Sequence, residues 1–321
     1  MLRDNLGLKR PASRNWHRRF GLGGNHYHRR DAALVKPSLA VHRSRKMIPP
    51  FRLWRPRSAA EAVAMRAEAG DGAVFMAGGI DIVNRMKFGE PITEVIYLGG
   101  VTELCAINDT EGGLHVGSLV THHQFETCAL IRARLPVLAQ TWQDVANIRI
   151  RCKGTIGGNI MAADPNYDFA LAAMAAGAHL DFLGQDGTAR RILAIELSGR
   201  SAPGLLTGII FPSADRLHVA FDRSLRPAIT LALGLDCPEG KVAGGRVAIG
   251  CAFPMPITAR LPITEPLLPR ELVEKTAALA HDLTVLLPEP LTNRHASARY
   301  RRQMIEVLLR RNLAALVERI A

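Results

Sequence analysis

RIRCKGTIGGNIMAADPNYD, residues 149–168, places the pair Gly157-Gly158 just ahead of an Asp-Pro step and a run of small apolar residues. The spacing predicts a glycine-rich loop delivering the chain into an alanine-rich helix, with Asp164 at its cap, Pro165 in its first turn and Gly177 at its end. Upstream, AGGID at 77–81 follows the buried-strand pattern VFMA at 74–77. Glycine permits positive φ and close approach, so each segment is expected to turn several backbone N–H groups to one side, where they suit anionic oxygens. A helix opening just after TIGGN adds the positive end of its dipole. A pyrophosphate gripped from two sides fits such a pair. Neither segment has the spacing G-x-G-x-x-G, and no Gly-Lys-Ser/Thr follows either, which excludes the single-loop dinucleotide and P-loop readings.

Around these two segments the pattern alternates strands and helices. Ser58 and Glu61 have capping-box spacing and open a helix through Ala69; Thr121 and Gln124 repeat that logic. EVIYL (94–98) reads as a strand, two short strands flank the turn at 108–113, and a helix is expected over 136–146. AHLDFL (178–183) and LLTGIIF (205–211) read as strands separated by a turn at 185–187. Beyond residue 227, ITLALGLD (229–236) and RVAIGCAF (246–253) form a meander, and helices cover about 270–286 and 296–320. In the last helix Ile305, Leu309, Leu313, Leu316 and Ile320 share one face, and Arg301, Arg302, Arg310 and Arg311 are assigned mostly off it.

With 321 residues, 48% of them hydrophobic, the chain can fill a sizeable core, and no stretch is long and apolar enough for a spanning helix. The net charge of +12 is concentrated in residues 1–46, where twelve Lys/Arg face only Asp4 and Asp31. That arm reads as a basic, disordered leader, or as a start placed upstream of Met47. No apolar segment follows Arg18-Arg19, so it does not read as a secretion signal. The remainder is nearly neutral, which argues against nucleic-acid binding. Cysteines at 105, 128, 152, 237 and 251 make no Cys-x-x-Cys, which points to a reducing cytoplasm, no metal site, and no iron–sulfur cluster of the chain's own. His122-His123 reads as the first turn of a helix.

AGGID, GTIGGNIMAADPNYD and RHASARYRRQMIEVLLRRNL (294–313) together resemble the FAD-binding medium subunit of molybdenum hydroxylases, the group of carbon monoxide dehydrogenase, xanthine dehydrogenase and bacterial N-heterocycle hydroxylases. The resemblance implies an α+β fold: a two-subdomain FAD-binding domain of PCMH type over 47–222, then a C-terminal α/β domain over 223–321 with a three-stranded antiparallel sheet and helices. It implies non-covalent FAD held by Ala77, Gly78, Gly79, Ile80 and Asp81, by Thr155, Ile156, Gly157, Gly158 and Asn159, and by Asp168 and Leu206, with no catalytic acid or base. Relatives often carry Thr, Asn, Pro and Lys where this chain has Ile80, Cys152, Leu171 and Asp222. The resemblance also implies a cytoplasmic dimer of heterotrimers. A large partner would hold the molybdenum cofactor and a small partner the [2Fe–2S] clusters, and electrons would leave through FAD to an external acceptor. Two other readings stay open: a stand-alone FAD-dependent oxidoreductase with its own substrate pocket, and a flavin-free scaffold that binds through its basic tail.

Overall fold

A computed structural model describes residues 48–197, 202–213, 217–223 and 228–320. The expected leader, residues 1–46, lies outside the described residues.

The first layer is a parallel three-stranded sheet of β1 (Arg52–Trp54), β2 (Val74–Met76) and β3 (Glu94–Tyr97), ordered β1-β3-β2. Parallel neighbours require helical crossovers. Helix α1 (Ala59–Ala69) supplies one, opened by Ser58, whose hydroxyl accepts from Glu61 N–H at 3.1 Å, while the Glu61 carboxylate reaches back to Arg57 N–H. Helix α2 (Ile80–Lys87) supplies the other and seals Ile82 and Met86 against Ile92 and Val95.

The second layer is an antiparallel sheet of β4 (Ile107–Thr110), β5 (Gly113–Gly117), β6 (His179–Leu183), β7 (Ala189–Leu193) and β8 (Leu205–Phe211), ordered β4-β5-β8-β6-β7. The turn at 185–187 therefore joins β6 to a strand, ARRIL, that the sequence reading did not contain. Six short helices cover this sheet: α3 (His122–Thr127), α4 (Ala129–Arg134), α5 (Pro136–Trp142), α6 (Ile148–Arg151), α7 (Ile156–Met161) and α8 (Phe169–Ala175). α9 (Ala194–Leu197) follows β7. Phe125, Trp142, Phe169 and Phe211 form the centre of the core, with edge-to-face ring pairs such as Trp142–Phe169 at 4.9 Å. Two expectations are corrected. TIGGN is not an open loop but the start of α7, and the alanine-rich helix begins at Phe169, because Asp164 to Tyr167 close a turn of their own with Tyr167 N–H on the Asp164 carbonyl.

The C-terminal sheet has four antiparallel strands rather than three: β9 (Leu217–Arg223), β10 (Thr230–Asp236), β11 (Gly244–Gly250) and β12 (Ile257–Arg260), ordered β12-β11-β10-β9. The sequence reading names only the strands at 229–236 and 246–253, so β9 and β12 are the two it does not name. β9 pairs along β10 from Leu217 opposite Asp236 to Arg223 opposite Thr230. Strand alternation sorts the two faces. Leu231, Leu233, Val247 and Ile249 point to the long helices α10 (Pro269–Leu286) and α11 (Ala298–Ile320), while Ala232 and Ala248 meet the first core. The small residues let α8 approach closely: a β-carbon on Gly250 would lie 2.6 Å from Leu171 Cδ1. Arg246, paired with Asp236 at 2.6 Å, donates to the Ala175 carbonyl and closes the C-terminal end of α8. On α11 the stripe Ile305, Leu309, Leu313 and Leu316 is fully buried. Arg301 is not off that stripe: one turn before Ile305, it is only 2% exposed. No helix among the described residues is long and apolar enough to cross a membrane.

Candidate functional site

β2 feeds α2 through Ala77-Gly78-Gly79. Gly79 is the N-cap in the left-handed region, φ 77°, a conformation that disfavours any residue with a β-carbon. Gly78 lies on the backbone that leads into the second segment: a β-carbon there would fall 1.6 Å from the Lys153 carbonyl oxygen and 3.2 Å from Gly154 Cα. A β-carbon on Gly158 would stand 3.9 Å from Ala77 Cβ. The fold thus brings 77–81 against 153–159, segments separated by α3 to α6 in the chain.

The two segments differ in what they offer. Thr155 caps α7 by accepting from Gly158 N–H at 3.0 Å. Ile156 N–H goes to the Val120 carbonyl at 2.9 Å, Gly157 N–H to Ser118 at 3.0 Å and Asn159 N–H to Thr155 at 3.0 Å. The second segment's donors are therefore engaged internally, against the expectation of two matching donor-lined bends. In the first segment the N–H groups of Gly78, Gly79, Ile80, Asp81 and Ile82 have no acceptor among the described residues. This is a row of donors at the positive end of a helix, next in the chain to Ala77, which Gly158 approaches without a side chain of its own. Such an arrangement suits the oxygens of an anion. It is also a cradle that a β-carbon at Gly158 would begin to fill.

Ala77 to Asp81, Gly158 and Asn159 are half-exposed around that cradle, and buried Thr155 shapes its edge. The other expected site residues are placed differently. Ile156 and Gly157 face inward, and a β-carbon on Gly157 would lie 2.6 Å from Ser118 Cβ. Leu206 is buried in the core on β8, opposite Phe182. Asp168 turns toward the C-terminal sheet, where it pairs with Arg223 at 3.3 Å and accepts from the Thr230 hydroxyl. Burial pushes its carboxyl up to about 6, with Arg223 opposing.

Asp81 is the one carboxylate in the donor row. Arg85 stands 3.6 Å away and is itself held by Glu90. Burial raises the Asp81 carboxyl, Arg85 opposes this, and the nearby charge of Asp164 adds to the rise. Asn159 Oδ1 accepts from Phe169 N–H at 2.9 Å, which ties α7 to α8. The sequence reading missed His122 as part of this frame. Its ring lies against Gly154, and Trp142 Nε1–H donates to its Nδ1 at 3.0 Å. Burial lowers its pKa to about 4, so the ring is neutral, with its proton on Nε2. The pairing of Thr121 and Gln124, a reciprocal capping box in the structure, is the local signal that fixes His122 in a first helical turn.

Residues 49–214 match the family described as the FAD binding domain in molybdopterin dehydrogenase. The chain is 28% identical over 298 residues to the carbon monoxide dehydrogenase medium chain of Afipia carboxidovorans, covering 83% of this chain and 96% of that one. Among solved structures, carbon monoxide dehydrogenase from Hydrogenophaga pseudoflava superposes with a TM-score of 0.75 at 24% identity, over 85% of this chain and 99% of that one. Quinoline 2-oxidoreductase from Pseudomonas putida 86 superposes with a TM-score of 0.74 at 22% identity, with the same coverage. These last two likenesses are of fold.

Proposed function

This chain belongs to the family of FAD-binding domains in molybdopterin dehydrogenases, and we propose that it is the medium subunit of such a complex, holding FAD without a covalent bond and passing electrons outward through it. The observation that carries the reading is the donor row Gly78 to Ile82, which has no acceptor among the described residues and follows Ala77, the neighbour of Gly158. A diphosphate bridge supplies the oxygens that row lacks, and FMN has no such bridge.

When bound, FAD supplies a centre that takes electrons singly and gives them up in pairs. The chain's own work is to hold and orient. Gly79 aims the N–H row by its left-handed turn. Thr155 keeps the α7 end closed so that Gly158 stays clear, and Asp81 and Asn159 offer an acceptor and an amide to hydroxyl groups. Asp168 and Leu206 act from beneath, through the loop and the strand they anchor. No acid or base in the cradle is assigned a bond-making role.

The medium-chain likeness supports a large molybdenum-bearing partner and a small [2Fe–2S] partner, assembled as a dimer of heterotrimers. Five free cysteines fit a cytoplasmic location. The test is to purify the native assembly, denature it and identify the released nucleotide by chromatography. FAD together with two further polypeptides is expected. A colourless chain that purifies alone would contradict the proposal.

A further inference from the structure

Arg301 carries a buried charge for which no carboxylate is paired among the described residues. Its guanidinium is spent on neutral acceptors instead: the Ala228 carbonyl at 2.6 Å, the Cys251 carbonyl, and Asn293 Oδ1 at 2.9 Å. Its buried Nε–H has no partner among the described residues, so the burial is costly, and three acceptors gathered on the two terminal nitrogens point to a task in which register matters.

The acceptor at Cys251 identifies the task. Cys251 sits in the left-handed region, φ 61°, a strained state for a residue with a side chain. The bend turns its N–H onto the Pro165 carbonyl at 2.9 Å. Pro165 lies in the turn 163–168 between α7 and α8. That turn is held on its other side as well: Thr230 and Arg223 reach Asp168, and Asn159 takes Phe169 N–H. Asp164, in the same turn, is close enough for its charge to reach Asp81 in the donor row.

We propose that Arg301 is a positioning residue for the cofactor cradle: by clamping the Cys251 carbonyl it holds a left-handed bend that fixes the turn 163–168, and with it Asn159 and Asp164 at the cradle's edge. This rests on the FAD reading above. It assigns a task to the C-terminal motif that the glycine segments leave unexplained: the C-terminal domain buttresses the cofactor site from a distance.

The test measures FAD dissociation constants by equilibrium dialysis, visible circular dichroism of bound FAD, and thermal midpoints, all on the full chain. Arg301→Lys keeps the charge but cannot span three acceptors. It is expected to weaken FAD binding at least about tenfold well below its melting temperature and to alter the visible dichroism, a readout that stability alone does not move. Arg302→Gln removes anchors to the Thr284 carbonyl on α10 and to the Pro288 carbonyl just past its end. It should lower the midpoint and leave affinity within about twofold. Cys251→Val attacks the bend while leaving Arg301 intact, and is expected to mimic Arg301→Lys. Cys251→Gly tolerates the bend and is expected to bind as wild type and to restore part of the affinity lost in Arg301→Lys. Wild-type affinity and dichroism in Cys251→Val or in Arg301→Lys would overturn the proposal. So would equal FAD loss in Arg302→Gln. Failure of the wild-type chain itself to bind FAD would refute the FAD reading instead.

Discussion

Gly158 and Ala77 face each other across the cradle: a β-carbon built on Gly158 would stand 3.9 Å from that of Ala77, and its nearest neighbour would be the Thr155 hydroxyl at 2.9 Å. The one close neighbour is the end of a side chain, which can turn aside at the expense of its cap on α7, and the position borders the donor row. Gly158→Val should therefore leave far-ultraviolet circular dichroism native and reduce FAD affinity at least about tenfold, because a branched side chain fills the gap. Unchanged FAD content in this variant would mean that the cofactor lies elsewhere.

Gly78 is the opposite case. Its β-carbon would overlap the Lys153 carbonyl at 1.6 Å, and both partners are backbone with no rotamer to yield. Gly78→Ala is expected to destabilise the chain by about 2–3 kcal/mol. In urea this reads as a lower midpoint with little change in slope.

Thr155 closes the α7 end by taking Gly158 N–H. Thr155→Val removes the acceptor while keeping the shape, at a cost of about 1 kcal/mol. Thr155→Ser should retain most of that stability. Equal midpoints for the valine and serine variants would show that the cap contributes nothing.

Two buried groups give the pH profile opposite slopes. His122 has its pKa lowered to about 4, so the stability it contributes is present above its ordinary 6.5 and is lost as pH falls through that value toward 4. Asp168 has its pKa raised to about 6, so its contribution is complete below its ordinary 3.8 and is lost as pH rises through 6. Each spans about 3 kcal/mol. In thermal midpoints between pH 4 and 7, His122→Asn should lose the acid-side decline, since Asn keeps an acceptor for Trp142. Asp168→Asn should gain on wild type as pH rises. Parallel curves for all three proteins would refute both assignments.

Much of the fold was legible because its signals are local. The boxes at Ser58 and Thr121, the left-handed Gly79 and the buried stripe of α11 are written within a few residues of where they act. What escaped depends on distant partners. The donors of TIGGN are consumed by Ser118 and Val120, which no spacing within the motif reveals. Asp168 turns to Arg223 and Thr230, two strands of another sheet. β7 hides because ARRIL exposes its arginines and is an edge strand, with only Ile192 and Leu193 half-buried. Arg301 is grouped with arginines mostly off the apolar face, yet its position four before Ile305 puts it on that face, where the neutral acceptors that take its charge come from distant segments.

Titration of the full chain with FAD and with FMN by equilibrium dialysis tests the diphosphate cradle most directly. FAD should bind at least about tenfold more tightly than FMN, and the margin should vanish in Gly158→Val. Equal affinities for the two nucleotides in the unmodified chain would contradict the account.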